Sequence, residues 1–288
     1  MRAFAFLLPL LLAAGPAAQQ QDWTQAKIEW NKPTAPFRII GNVYYVGTAG
    51  VSAYLITDPR GHILIDGGLP ESAALIAGNI KRLGFRLKDV KILLINHAHF
   101  DHSGGLAELK RLTGARLLAS AGDKPDLEAG RTIGRTDLED FPAVKVDEVI
   151  GEGTHIRLGA IDLVTHLTPG HTRGCTSWMY RVRPKGQVPL DMLFACSLSV
   201  AGQDLTGRNP AYPNAADDFR HSFALLRTLT VDIFLNFHPA AFDMADKRAR
   251  LKGGNPLAFV DPGELGRRVD AAELQFEKEL GEQTAAKR

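Results

Sequence analysis

"VKILLINHAHFDHSGG", residues 90–105, sets an apolar run directly against His97, His99, Asp101 and His102. The six residues before Asn96 read as a strand buried on both faces, because a short apolar run with polar flanks suits that setting. Just beyond it, an extended or tightly turning backbone sends His97 and His99 to the same side, as side chains two apart do. Imidazole nitrogens and a carboxylate are the donors zinc favours, at about 2.0–2.2 Å. Crowding such groups in a buried place without a metal would be costly. The stretch therefore predicts a metal centre at the mouth of a buried strand. That placement points to an α/β fold, whose sites gather at the C-terminal ends of strands.

Six consecutive positions cannot satisfy two metals, and further donors are visible elsewhere. "TPGHTRG" offers His171 after an apolar strand, and "LNFHPA" offers His238 at the end of another. Five His and one Asp supply three ligands for each of two zinc ions and leave coordination positions open, which is the mark of a catalytic site. His62, His155 and His221 read as ordinary core or surface residues, and His166 is left unassigned. Asp66, in "ILIDGG", is expected beneath the ligand loop as an acceptor for a backbone N–H or an imidazole.

The flanking sequence fits this reading. "FRIIGNVYYVG", "VSAYLITD" and "ILIDGG" form an antiparallel meander, followed by helical spacing at Leu75, Ile76, Ile80 and Leu83 that Gly84 closes. "GGLAELKRLTGA" is a short helix ending at Gly114, and "RLLAS" is a strand. Residues 122–143 lack a sustained apolar period and are expected to form an active-site flap. The second half adds strands in "THIRLGAIDLVTHLTP", "GCTSWMYRV", "LDMLFACSLSV" and "VDIFLNF", and a helix in "AADDFRHSFALLRTL". Leu265, Val269, Ala272, Phe276 and Leu280 mark a final amphipathic helix.

At 288 residues with 45% apolar and 23% charged, the chain has ordinary globular composition, which excludes disordered and fibrous classes. A formal charge of +2 lacks the basic excess of a nucleic-acid binder, so a small-molecule partner is expected. "MRAFAFLLPLLLAAGPAA" has the grammar of a cleaved secretory signal over residues 1–18, leaving one domain at 19–288 with no membrane span. Periplasmic location follows, and the mature chain is expected to be a monomer. Export makes Cys175 and Cys196 candidates for one disulfide closing about 20 residues, worth on the order of 3 kcal/mol. Two free buried thiols are the other reading.

"NHAHFDHSGG", "TPGHTRGCTSW" and "FHP" resemble the metallo-β-lactamase superfamily, and the chain from about Phe37 onward resembles class B β-lactamases of subclass 3. The subclass shows in "GVSAYLI", "ILIDGGLP", "LFACSLSVAG" and "AYPNAADDFRHSFALL". The resemblance implies a four-layer αβ/βα sandwich with two zinc ions at one edge of the sheets. It implies that His97, His99 and His171 hold one zinc, that Asp101, His102 and His238 hold the other, and that Asp101 is also catalytic. Relatives that cleave thioesters, lactones or phosphodiesters usually carry a metal-bridging Asp on the strand that here reads "LFACSLSV". No Asp stands there, and Ser197 and Ser199 instead match serines that hydrogen-bond a substrate carboxylate. The implied reaction is zinc-dependent hydrolysis of the β-lactam amide of penicillins, cephalosporins and carbapenems, and with it antibiotic resistance. A lactonase or thioesterase on the same scaffold and a non-catalytic secreted zinc-binding protein are the alternatives.

Overall fold

Side chains alternate along the central strands, and this alternation builds two cores. In the computed structural model, which describes residues 22–286, Ile63, Ile65, Ile92 and Leu94 point to one core, while Leu64, Leu93 and Leu117 point to the other. The signal segment at residues 1–18 lies outside the described residues.

Two sheets result. A helix α1 (Thr24–Trp30) precedes β1 (Phe37–Ile40), β2 (Val43–Tyr45), β3 (Tyr54–Asp58) and β4 (Gly61–Ile65), an antiparallel meander as expected. Next come α2 (Ser72–Arg82), β5 (Val90–Leu94), the single turn α3 (Phe100–Ser103), α4 (Leu106–Thr113), β6 (Arg116–Ser120), α5 (Lys124–Ala129) and β7 (Glu148–Ile150). β4 to β7 run parallel, closing a seven-stranded sheet in the order β1 to β7. The second sheet holds β8 (His155–Leu158), β9 (Ile161–Leu167), β10 (Thr176–Val182), β11 (Leu190–Ala195) and, after α6 (Ala215–Arg227), β12 (Ile233–Asn236). Its spatial order is β12-β11-β10-β9-β8, with only β11 and β12 parallel. α7 (Met244–Lys252) and α8 (Glu264–Ala285) complete the described chain.

The sheets face each other, with Tyr54 of β3 packed against Phe194 of β11 at 5.0 Å between ring centres. α2 and α4 cover the outer face of the first sheet with Ile76, Ile80, Leu106 and Leu109. α6 and α8 cover the second through Phe219, Phe223 and Phe276. The layers are therefore helix, sheet, sheet, helix, as the resemblance implied. Gly114 ends α4 with φ of 75° and Gly84 follows α2 with φ of 88°, conformations that a Cβ would strain.

One expectation needs correction. Residues 122–143 are not a free flap: they contain α5, and Leu127, Leu138 and Phe141 are buried in the helix-side core. The apolar residues are spaced too irregularly for a period to show, yet each is anchored. The Thr132 hydroxyl also donates to Ala98 O at 2.7 Å, tying the segment to the ligand turn.

Candidate metal centre

β5 ends at Leu94, and the chain then turns through Asn96 to His99 before α3 begins. The turn is held from beneath by Asp66 at the end of β4. Its carboxylate accepts the Asn96 backbone N–H at 2.9 Å, the Asn96 side-chain amide, and His102 Nδ1–H at 2.9 Å. Asp66 does this with φ of 69°, a left-handed conformation uncommon outside Gly and Asn, and such strain gathers at functional sites.

Hydrogen bonding fixes the tautomer of four of the five clustered imidazoles. A carbonyl or carboxylate oxygen can only accept, so each Nδ1 facing one must carry the proton. His102 Nδ1 faces Asp66, His171 Nδ1 faces Ser199 O at 2.7 Å, and His238 Nδ1 faces Gly50 O at 3.2 Å. Asn96 gives its amide to Asp66 and so turns its Oδ1 to His97 Nδ1. The Nε2 atoms are left to point inward.

Those inward nitrogens meet. His97 Nε2 and His171 Nε2 stand 3.1 Å apart, and the rings of His97, His99 and His171 lie within 4.6 Å of one another, centre to centre. Neither ring nitrogen of His99 makes a hydrogen bond, and its Nε2 is closed to solvent. Burial above all, with mutual repulsion among the rings, drives His97 and His99 well below the usual imidazole range and His171 down to about 3. Two neutral imidazoles thus aim lone pairs at each other, an arrangement that only a cation between them relieves.

The second group has the dimensions of a coordination shell. Asp101 Oδ2 lies 3.3 Å from His102 Nε2 and 3.3 Å from His238 Nε2, and those two nitrogens are 3.2 Å apart. Donors about 2.0–2.1 Å from a tetrahedral zinc stand about 3.3–3.4 Å from one another. Burial alone would raise Asp101, but His102 and His238 override it and hold the carboxyl well below its ordinary range. Burial likewise opposes charge on His102, yet Asp101 and Asp66 bring it up to about 10. Positive charge is demanded at this point, and zinc fits both groups of residues by donor type, spacing and charge.

Beside them, the Ser197 and Ser199 hydroxyls lie 3.0 Å apart and border, with His238, a cavity of about 600 Å³ walled by α8. Cys175 and Cys196 are bonded as a disulfide that links the start of β10 to the end of β11. Cys196 Sγ lies 3.2 Å from Asn96 O, directly under the ligand turn.

A family model described as the metallo-beta-lactamase superfamily matches residues 46–183. The chain is 42% identical to BJP-1, a subclass B3 metallo-beta-lactamase of Bradyrhizobium japonicum, with TM-score 0.86 over 91% of this chain and 100% of that one. The chain belongs to the metallo-β-lactamase superfamily, within subclass B3. FEZ-1 from Legionella gormanii agrees at 37% identity and TM-score 0.84, over 88% of this chain and 98% of its own. A hydroxyacylglutathione hydrolase of Rhodopseudomonas palustris (strain BisB5) is 32% identical over 127 residues, 44% of this chain. The chain spans only 42% of that relative's length. Membership makes this chain a hydrolase of the metallo-β-lactamase superfamily.

Around this site stand residues that sequence reasoning passed over. Trp30 of α1 packs on His238 at 5.5 Å, and Trp23 and Trp30 both contact Phe100 of α3. Their spacing of seven places them on one helix face, a signal available in the sequence. Arg135, its side chain 6% exposed, is bound by Asp137 and donates to Ala201 O at 2.7 Å, joining the 122–143 segment to the stretch after Ser199. His166 bonds Glu152 at 2.9 Å and takes no part in the cluster.

Proposed function

We propose that the chain hydrolyses the ring amide of β-lactam antibiotics. In this reading His97, His99 and His171 hold one zinc, and Asp101, His102 and His238 hold a second. Zinc, when bound, supplies a Lewis acid and makes water acidic enough to attack at neutral pH without a serine nucleophile. The chain's own residues do the rest. The oxygens of Asn96, Asp66, Ser199 and Gly50 that accept from the imidazole Nδ1–H groups keep the rings oriented, so that no reorganisation is needed during reaction. Asp101 stays ionised, with Oδ2 turned to His102 and His238, and Oδ1 is left to accept a hydrogen bond from the attacking water and orient it. The Ser197 and Ser199 hydroxyls donate to the substrate carboxylate from the wall of the cavity beside His238.

The observation that carries this reading is the agreement with a subclass B3 metallo-β-lactamase over 91% of the chain. The hydroxyacylglutathione hydrolase similarity supports a second reading, a thioesterase on the same scaffold. Against it stands the segment 193–200, which carries serines where thioester-cleaving relatives usually place a metal-bridging Asp. Export of a single domain, residues 19–288, to the periplasm as a monomer belongs to the same proposal.

Turnover of a chromogenic cephalosporin and a carbapenem by purified protein, with and without chelator, decides the matter. Chelator-sensitive hydrolysis is expected, and failure to hydrolyse either while cleaving a glutathione thioester would transfer the assignment. We predict that the Ser197→Ala, Ser199→Ala variant keeps its zinc but loses roughly 10- to 150-fold in kcat/KM on carboxylate-bearing β-lactams, since a hydrogen bond to a charged group is worth about 1.5–3 kcal/mol. Wild-type kcat/KM would reduce both serines to scaffold.

A further inference from the structure

A second cavity, of about 740 Å³, opens at the opposite end of β10 from the metal centre. β10 leaves the His171 loop at Thr176 and runs seven residues to Val182, about 23 Å at 3.3 Å per residue. The cavity has an apolar floor of Ile39, Ile40 and Leu251 and a rim of Arg38, Arg181, Arg183 and Lys185. Asp191 already pairs with Arg181 at 2.6 Å. The Asp58 carboxylate beside Ala160 is taken up by the backbone N–H groups of Arg60 and Ala160. Among the described residues no carboxylate pairs with Arg38, Arg183 or Lys185, and the Arg38 guanidinium is steadied only by the Tyr44 ring at 5.4 Å, so three cations without an ion-pair partner edge one cleft.

Two large apolar side chains next in sequence to cavity residues are left exposed. Val188, in the β10–β11 hairpin loop with Arg183 and Lys185, is 73% exposed, and Leu257, next to the cavity residue Pro256, is 42% exposed. A soluble ligand would explain the charges but would leave Val188 uncovered. A surface with anionic groups outside and hydrocarbon beneath matches both features, because basic residues near such a surface and apolar side chains inserted into it add their contributions.

We propose that this face is a peripheral docking site for anionic phospholipid: the cleft takes a headgroup phosphate on Arg38, Arg183 and Lys185, and Val188 and Leu257 enter the acyl boundary. The metal edge, at the far end of β10, then faces away from the membrane and stays open to substrate. No helix among the described residues is long and apolar enough to cross a membrane.

The test is flotation of the processed chain with phosphatidylcholine vesicles, with or without about 30% phosphatidylglycerol. Binding is expected only to the anionic vesicles and should vanish at roughly 0.5 M salt, where charges are screened within about 4 Å. Each cation near such a surface gives roughly a five-fold gain in partitioning, so Arg183→Glu with Lys185→Glu should weaken binding by at least roughly 20-fold. Val188→Asp should weaken it independently. All three positions are exposed, so melting temperature and metal-dependent hydrolysis should match wild type and separate this outcome from misfolding. Equal binding to neutral vesicles, no flotation, or flotation undiminished by charge reversal would overturn the proposal. Binding of inorganic phosphate through the same residues without vesicle binding would also overturn it and leave a site for a soluble anion.

Discussion

Asp123 is buried behind the His171 loop, where neither carboxylate oxygen makes a well-aligned hydrogen bond and only the Thr172 hydroxyl and the Gly174 N–H face it. Burial first, and then the charge of Asp126, pushes it from an ordinary value near 3.8 up to about 7. Asp126 is itself raised to about 6 despite its 2.6 Å pairing with Arg173. A raised acid binds its proton more tightly in the folded state, so its contribution to stability is intact below the unfolded value and is lost as pH climbs through the folded one. We predict that Asp123→Asn, which mimics the protonated acid, is more stable than wild type at pH 8, by roughly 1–3 kcal/mol. The advantage should shrink as pH falls through 7 toward 4, and thermal melts at several pH values check it. A pH-independent difference would mean that Asp123 does not titrate in this range. The neighbouring metal centre was far easier to read in the sequence, since five His and an Asp at strand ends declare themselves by residue type. Asn96 did not, because an Asn beside a His looks like any turn residue until its amide is seen bridging Asp66 and His97.

α1 shows how an element can be missed and still bear on the site. It is only seven residues long, with no buried residue, so no apolar period announces it. Its two tryptophans nevertheless grip α3 through Phe100, and Trp30 covers one side of His238. The helix is also tied back by Trp23 Nε1 donating to Asp137 O at 3.0 Å and by Lys27 pairing with Glu139 at 2.6 Å. We predict that Trp23→Ala with Trp30→Ala frees the segment. Cleavage by protease before Phe37 should become fast, and His238 should lose its restraint, lowering zinc affinity about 10-fold, the low end of what changes beside metal ligands cost. Unchanged proteolysis and zinc affinity would show α1 to be an ornament. The strands and long helices were legible because their burial is periodic. The 122–143 segment was not, since α5 is held by single anchored residues, Leu127, Leu138 and Phe141, whose spacing carries no period.

The candidate ligands arrive from three separate places: the turn after β5 in the first sheet, the loop between β9 and β10, and the end of β12 in the second. No segment of the chain holds either group of three closely spaced donors by itself except in part, so both groups exist only when the two sheets are docked. Metal binding and folding are therefore linked, because an ion that binds the folded chain and not the unfolded one stabilises it by RT ln(1 + [L]/Kd). At free zinc about 1,000 times Kd this amounts to about 4 kcal/mol per site, and a chain of this size shifts by roughly 2–4 °C per kcal/mol. We predict that chelation lowers the melting temperature by about 10 °C or more, and that His171→Ala removes part of this shift while leaving the rest. The residual shift matters most, since His171 belongs to only one of the two groups. A variant that lost the whole zinc-dependent shift would mean that the groups bind metal as one unit, and one that lost none would remove His171 from the ligand set. The Cys175–Cys196 bond joins the start of β10 to the end of its neighbour β11 beneath the ligand turn, and it should set the floor to which the chelated protein falls. With both cysteines replaced by Ala, the metal-free melt should drop further by the equivalent of about 3 kcal/mol, while the increment from zinc stays nearly the same. A zinc increment that collapsed with the disulfide would show that the bond positions the ligand turn as well as restraining the unfolded chain.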